Sequence, residues 1–281
     1  MTIPPEPMIS LTFDDALEVH LDTVIPRLND HGLQGTFYAH LSAPSLARRF
    51  ANWQAAAQVG HEIGNHTIFH PEEARKTWVR GGNALDEYFP DRMRLEVEVA
   101  NQWLDAIDGG RQRSFAYPCA NPVLGKYGYF NRMLFRLGLR QTRWPGLVAK
   151  WGLDLGNTHT SYVDQVADLF VAARISGLHL HQAALADSSA DRYLLPSAVV
   201  EQHTFSEMQG FIERSLAAGG WPILQFHGVG GGHHMNCDLG EFEALVAWLA
   251  GHHRPRVKTV ARAALDRFGP IAIGRGNADG A

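Results

Sequence analysis

Cysteine is nearly absent from this 281-residue chain, with only Cys119 and Cys237 present. Two cysteines cannot form a disulfide framework, and they suit a reducing compartment. Positive charge is not in surplus either. The formal net charge of −4 leaves no excess of cations to hold a phosphate backbone, which sets nucleic acid aside as a partner. No apolar run approaches the roughly 18 residues that a membrane span needs. The opening MTIPPEPMISLTF has no basic stretch followed by an apolar region and a small-residue cleavage site, so no secretory leader is visible. These absences give the expectation of a cytoplasmic protein without a nucleic-acid or membrane partner. Internal repeats, low-complexity tracts and Ser/Pro linkers are also missing. One domain over residues 1–281 is therefore expected, with its core at about 8–265, variable loops at about 122–210 and a frayed tail in GRGNADGA.

What the chain has is 45% hydrophobic and 19% charged residues, the composition of a folded domain able to bury a core. Short β-branched and aromatic runs alternate with segments of helical period, the pattern of repeated strand-helix units in a largely parallel sheet or barrel. The runs that read as strands are MISLTF (8–13), GTFYAH (35–40), HEIGN (61–65), SFAYP (114–118), LRQTRW (139–144), WPILQF (221–226) and RVKTV (256–260). Leu17, Leu21, Val24, Ile25 and Leu28 repeat at helical spacing up to Gly32. Leu95, Val99, Trp103, Ala106 and Ile107 trace a second helix, and Phe242, Leu245, Val246 and Leu249 a third. SYVDQVADLFVAAR (161–174) reads as a further helix within the region of weakest pattern. Trp53, Trp103 and Trp248 read as core, whereas Trp144 and Trp151 fall in the variable loops, where an aromatic ring can stack on a sugar face.

Histidine is the unusual count, at 15. The first strand ends in Thr12-Phe13-Asp14-Asp15, where a barrel strand meets its loop and catalytic groups collect. Adjacent carboxylates repel unless a cation offsets them; the other role open to either aspartate is that of a helix N-cap. In GNHTIFHP, His66 and His70 stand four positions apart. On a helical turn they would share a face and aim two imidazoles at one ion, while two surface histidines are the plainer account. Thr67 stands where a zinc metalloprotease helix carries its glutamate, so this is not that motif. The strand WPILQF delivers His227 into a glycine run, placed either for proton exchange or for a carbonyl partner at the core edge.

Taken in order, TFDD, GHEIGNHTIFHP, SFAYP and ILQFHGV resemble the motifs of the NodB-homology polysaccharide deacetylases, carbohydrate esterase family 4, with TFY (36–38) as a matching strand between the first two. The resemblance runs from about residue 8 to 260 and is weakest between about 122 and 210. It implies a distorted (β/α)7 barrel of α/β class in a single domain. It also implies that Asp15, His66 and His70 hold a divalent ion, Zn2+ by ligand type, with Co2+ or Ni2+ also acceptable. Asp14 is the implied base that takes a proton from water, His227 the implied acid that protonates the departing amine, and the backbone N–H of Cys119 the implied oxyanion donor. Tyr117, Pro118 and His233 are expected to line the substrate. The implied activity is removal of acetyl groups from an N-acetylated or O-acetylated carbohydrate. Hydrolysis of non-sugar cyclic amides or ureides on the same fold, and a carbohydrate-binding protein without turnover, are the other two readings.

The chain departs from the family pattern in several places. Ala16 follows the aspartate pair where glycine is usual, and Ala116 stands where many members carry an arginine that buttresses the base. Arg113, Arg143 and Arg174 are the candidate replacements. Cys119, read as a small buried thiol, replaces an aromatic, and Ala120 replaces a glycine. The acid histidine's usual Asp and Trp supports have no clear match among Asp164, Asp168, Asp187 and Asp191.

Overall fold

Burial on both faces is what makes short apolar runs pair as parallel strands. The computed structural model describes residues 7–74, 76–79, 82–125, 128–154, 159–184 and 191–271; Asp187 and the GRGNADGA tail lie outside them. The chain forms β1 (Ser10–Asp14), a π-type turn at His20–Val24 leading into α1 (Ile25–Asp30), β2 (Thr36–Ala39), α2 (Pro44–Arg48), α3 (Phe50–Gln58), β3 (Glu62–Asn65), α4 (Pro90–Asp108) and β4 (Phe115–Ala116). An excursion follows: the short pair β5 (Val123–Leu124) and β6 (Thr160–Ser161) encloses α5 (Tyr129–Arg136) and α6 (Trp144–Lys150). After it come α7 (Val163–Val166), β7 (Ala173–Leu178), β8 (Leu195–Val199), α8 (Phe205–Ala217), β9 (Ile223–Phe226), β10 (Gly228–Val229), β11 (Asn236–Cys237), α9 (Leu239–His252) and α10 (Val260–Phe268). Seven parallel strands close in the order β1-β2-β3-β4-β7-β8-β9, and β9 pairs back onto β1. The (β/α)7 barrel expected of the sequence is the fold observed.

Side-chain alternation along these strands separates two environments. Outward, Phe13 stacks on Phe37 and Phe226 of its two neighbours at 4.9 and 5.3 Å and meets Phe242 of α9 edge-on, with Trp53 of α3 against Phe37. These rings anchor the main core, against which Trp103 and Trp248 also pack. Inward, the alternate residues Thr12, Asp14, Tyr38, Arg174, Ser197 and Gln225 are buried and polar. Near the start of the strands, Glu62 accepts from Thr36 Oγ1, Ser114 N and Oγ and Ala261 N at 2.6–2.9 Å, tying β2, β3 and the approach to β4 to α10.

Three expected elements are corrected. LRQTRW is the turn between α5 and α6 and enters α6, with its side chains exposed or half-buried rather than buried on both faces. RVKTV contributes one bridge, Ile9 to Val257, before Thr259 caps α10 by accepting from Arg262 N. SYVDQVADLFVAAR is helical only over Val163–Val166; its end becomes β7, because Ala173 and Arg174 pair with β4 and β8. The strands β7 and β8 escaped notice because their inward residues, Arg174, Ser176 and Ser197, are polar and Pro196 interrupts the pattern. Among the described residues no helix is long and apolar enough to cross a membrane.

Candidate active site

The site begins where β1 ends. Asp14 is still in the ladder, opposite Tyr38, and the backbone then kinks, with φ of 76° at Asp15 and 46° at Ala16. This left-handed kink sends the two carboxylates to different partners. It also explains why glycine suits position 16: alanine occupies that region at a steric cost, and here Ser45 Oγ holds the Ala16 carbonyl. Thr67, His70, Cys119 and Ala120 have positive φ as well. Such strain collects where surrounding structure dictates the backbone for function.

His66 follows β3 directly, and the helical turn expected across His66–His70 is replaced by a loop with left-handed Thr67 and His70. Side chains fix that loop. Asn65 Oδ1 accepts from Thr67 N at 2.8 Å, Thr67 Oγ1 accepts from His70 N at 3.1 Å, and the buried Glu96 of α4 accepts from Ile68 N and Phe69 N, both at 3.1 Å, and from the Tyr88 hydroxyl at 2.7 Å. The loop brings both imidazoles to Asp15: Oδ1 lies 3.7 Å from His66 Nε2 and 3.5 Å from His70 Nε2. These three ligand atoms lie within 4.8 Å of one another.

Chemically this donor set fits a divalent ion. Asp15 Oδ1 is buried with no hydrogen-bond partner, an arrangement costly without a cation. His66 Nδ1 donates to the Ala116 carbonyl at 2.7 Å, which leaves Nε2 as a free lone pair. Burial lowers the His66 pKa to about 3, so the ring is neutral, as a ligand must be. Burial opposes charge on Asp15 too, but the neighbouring imidazoles, His70 foremost, hold its pKa below the usual carboxylate range. His40, with its ring 5.5 Å from that of His70, is also held neutral by burial at a pKa of about 4.

Asp14 is gripped from the other side of the barrel. Arg174 Nη2 donates to both carboxylate oxygens at 2.6 Å, and Gln225 Nε2 donates to Oδ2 at 2.9 Å. The guanidinium is itself positioned by Ser197 Oγ at 3.1 Å and by the Tyr38 ring, 4.9 Å below it. Burial would raise the Asp14 pKa; Arg174, with His66 and His227, outweighs it and keeps the carboxyl ionised below its ordinary value. Of the three candidate arginines only Arg174 reaches the site. Arg113 pairs with Asp105 and Asp108, and Arg143 lies on the exposed α5–α6 excursion. Ala116 and Arg174 are direct partners across β4 and β7. The guanidinium expected at position 116 on the fourth strand therefore enters here from the adjacent strand at the same level.

His227, one residue past β9, has Nε2 3.9 Å from Asp14 Oδ2. Its carbonyl accepts from His20 Nε2 at 2.8 Å, and its Nδ1 is buried without a partner. Among the described residues no candidate aspartate supports it: Asp168 pairs with Arg94, Asp191 caps Tyr193 N, and Asp164 lies in the first turn of α7, while Asp187 lies outside the described residues. His233 stacks on His227 with centroids 5.0 Å apart, which puts its ring beside that of the expected acid.

Two expectations for the third segment are overturned. Tyr117 and Pro118 are buried, and the Tyr117 ring packs on Phe115 and Tyr162, so neither side chain offers a surface to substrate. Cys119 is exposed as a residue, with its thiol turned in and desolvated. Its sulfur lies against Glu72, and desolvation together with that carboxylate pushes its pKa up to about 12, so it is a poor nucleophile. The Cys119 N–H has no acceptor among the described residues. Glu96, Gln225, Ser197 and Tyr38 were not anticipated from the sequence; Gln225, a polar residue in the apolar run WPILQF, was the one legible signal.

Residues 2–126 match the polysaccharide deacetylase family model. A gellan lyase of a Bacillus species is 30% identical over 109 residues, 39% of this chain and 4% of that protein. Among solved structures, a CE4 family pseudoenzyme from Bacillus anthracis superposes with a TM-score of 0.51 at 13% identity, over 93% of this chain and 66% of that one. The CE4 domain of a multidomain xylanase from the hindgut metagenome of Trinervitermes trinervoides superposes with a TM-score of 0.51 at 14% identity, over 95% of this chain and 94% of that one. These structures share the barrel. The matched segment carries Asp14, Asp15, His66, His70 and Cys119, and with that barrel closed around it the chain is similar to the polysaccharide deacetylase family in both the motif-bearing segment and the fold.

Proposed function

We propose that this protein is a metal-dependent hydrolase that removes acetyl groups from N-acetylated or O-acetylated carbohydrate. The observation that carries the reading is the pairing of two unlike carboxylates: Asp15 Oδ1, buried without a hydrogen bond and facing two imidazoles, beside Asp14, held ionised by Arg174. Asp15, His66 and His70 would hold the ion, and when bound it would supply Lewis acidity to the acetyl carbonyl and to an attacking water. Asp14 then takes the proton of that water. Its carboxylate cannot rotate away, because Arg174 and Gln225 fix both oxygens. The unpaired Cys119 N–H is the donor available for the oxyanion. His227, facing Asp14 across the site, protonates the departing amine or alkoxide.

The test is divalent-metal content together with acetate release from a panel of N- and O-acetyl sugars, for the unmodified chain and for Asp15→Ala and His66→Ala. The expected result is near one ion per chain, lost in both variants together with acetate release. Metal without acetate release, but with turnover of cyclic amides or ureides, would refute the carbohydrate assignment. A folded chain that binds no metal would refute the hydrolase.

A further inference from the structure

We infer that the α5–α6 hairpin is a docking surface for an anionic lipid bilayer. Between Tyr129 and Trp151 the chain carries Arg132, Arg136, Arg140, Arg143 and Lys150 and no acidic residue, within a protein of net charge −4. All five are exposed. Arg132, Arg136, Arg143 and Lys150 have no carboxylate partner among the described residues, and Arg143 lies over the Trp144 ring.

Alongside these cations lies an uncovered apolar stripe. Tyr129, Met133 and Leu137 follow one another at four-residue intervals along α5 and just past its end, exposed by 62%, 41% and 65%, while Leu134 faces inward. Trp151 is 63% exposed, and Trp144 and Leu153 are also uncovered. Tyr129, Met133 and Leu137 share one face of α5 and its C-cap, and an uncovered apolar face rimmed by charge marks an interaction site where single scattered apolar residues do not. Basic side chains flanking Trp, Tyr, Phe and Leu are the combination that settles at the headgroup-acyl boundary of an anionic leaflet, the rings at the interface and the cations against the lipid charge.

Two other occupants fit worse. A second copy meeting the same patch across a two-fold axis would set five cations against five. An anionic glycan would engage the arginines and stack on the tryptophans, but Met133, Leu137 and Leu153 offer a polar sugar nothing. The sequence expectation of no membrane partner rested on the lack of a spanning segment, and peripheral seating needs none. The surface leaves the barrel after β4, on the side where that strand delivers Cys119 to the site.

The experiment is cosedimentation of the full chain with vesicles of phosphatidylcholine alone and of phosphatidylcholine mixed with phosphatidylglycerol, read with tryptophan emission. Binding to the anionic vesicles only, weakened by salt and accompanied by a blue shift, is expected. Arg132→Glu/Arg136→Glu should weaken it by about tenfold or more. Leu137→Ser/Trp151→Ser should weaken it while leaving the salt dependence in place. Circular dichroism melts and metal content, unchanged in both variants, exclude misfolding. Equal binding to neutral vesicles, binding unaffected by either variant, sedimentation without vesicles, or capture by a soluble polyuronate with none by vesicles would each overturn the inference.

Discussion

Replacing Arg174 with alanine isolates the part of the site that the chain builds in its own way. The substitution removes two 2.6 Å charge-assisted hydrogen bonds from a buried carboxylate and leaves Gln225 Nε2, at 2.9 Å, as its donor. Breaking a buried ion pair from one side strands the other charge, at a cost of about 3–5 kcal/mol. At roughly 2 °C per kcal/mol for a chain of this size, the melting temperature should fall by about 6–10 °C. With its cation gone, burial acts on Asp14 unopposed by Arg174, and the carboxyl is pushed toward its protonated form. A base that is protonated or turned out of line should reduce kcat/KM at neutral pH by roughly 10²–10⁴. Arg174→Lys retains the charge but not the planar fork and should recover only part of the loss. Because Ala116 is the register partner of Arg174, adding Ala116→Arg to Arg174→Ala should restore turnover and thermal stability together. Thermal melts and steady-state acetate release measure both quantities. If Arg174→Ala kept its melting temperature and its kcat/KM, the claim that this guanidinium holds the base would be wrong.

Two other predictions follow from buried groups. Glu96→Ala leaves the Ile68 and Phe69 amides and the Tyr88 hydroxyl without their acceptor; a stability loss of about 2–4 kcal/mol and metal affinity weakened by about tenfold are expected. Calorimetric titration showing unchanged affinity would mean that the loop between His66 and His70 needs no support from α4. His20 and His61 are neutral in the fold, burial having lowered both pKa values from 6.5 to about 4. Between those values the unfolded chain binds more protons than the folded one. Stability is therefore fully present above about pH 6.5 and declines as pH falls through about 4, by about 3 kcal/mol for each histidine. Urea midpoints that stay level from pH 7 to pH 5 would contradict this.

The barrel and most of the site were legible in the sequence because they depend on short-range information. Parallel strands buried on both faces leave apolar runs such as MISLTF and WPILQF, and a motif such as TFDD places its carboxylates at a strand end whatever surrounds it. The order of the segments carrying Asp14, Asp15, His66, His70 and His227 was enough to suggest the family that residues 2–126 match. What the tertiary structure decided was long-range. That Arg174 rather than Arg113 or Arg143 grips Asp14 follows from the pairing of β4 with β7, between residues 58 positions apart whose register no local pattern records. The same blindness turned β7 into the end of a helix, since an inward-facing arginine and serine erase the apolar signature of a strand. The loop at His66 to His70 was misjudged for a related reason: its left-handed backbone is imposed by Glu96 and Asn65, and spacing alone suggests a helical turn. Tyr117 is buried where a substrate-lining residue was expected because its ring packs on Phe115 and Tyr162, a contact across 45 positions for the latter that no local pattern records. Local chemistry chose which groups the chain carries; closure of the barrel chose which of them meet, because only packing over long sequence separations fixes side-chain direction.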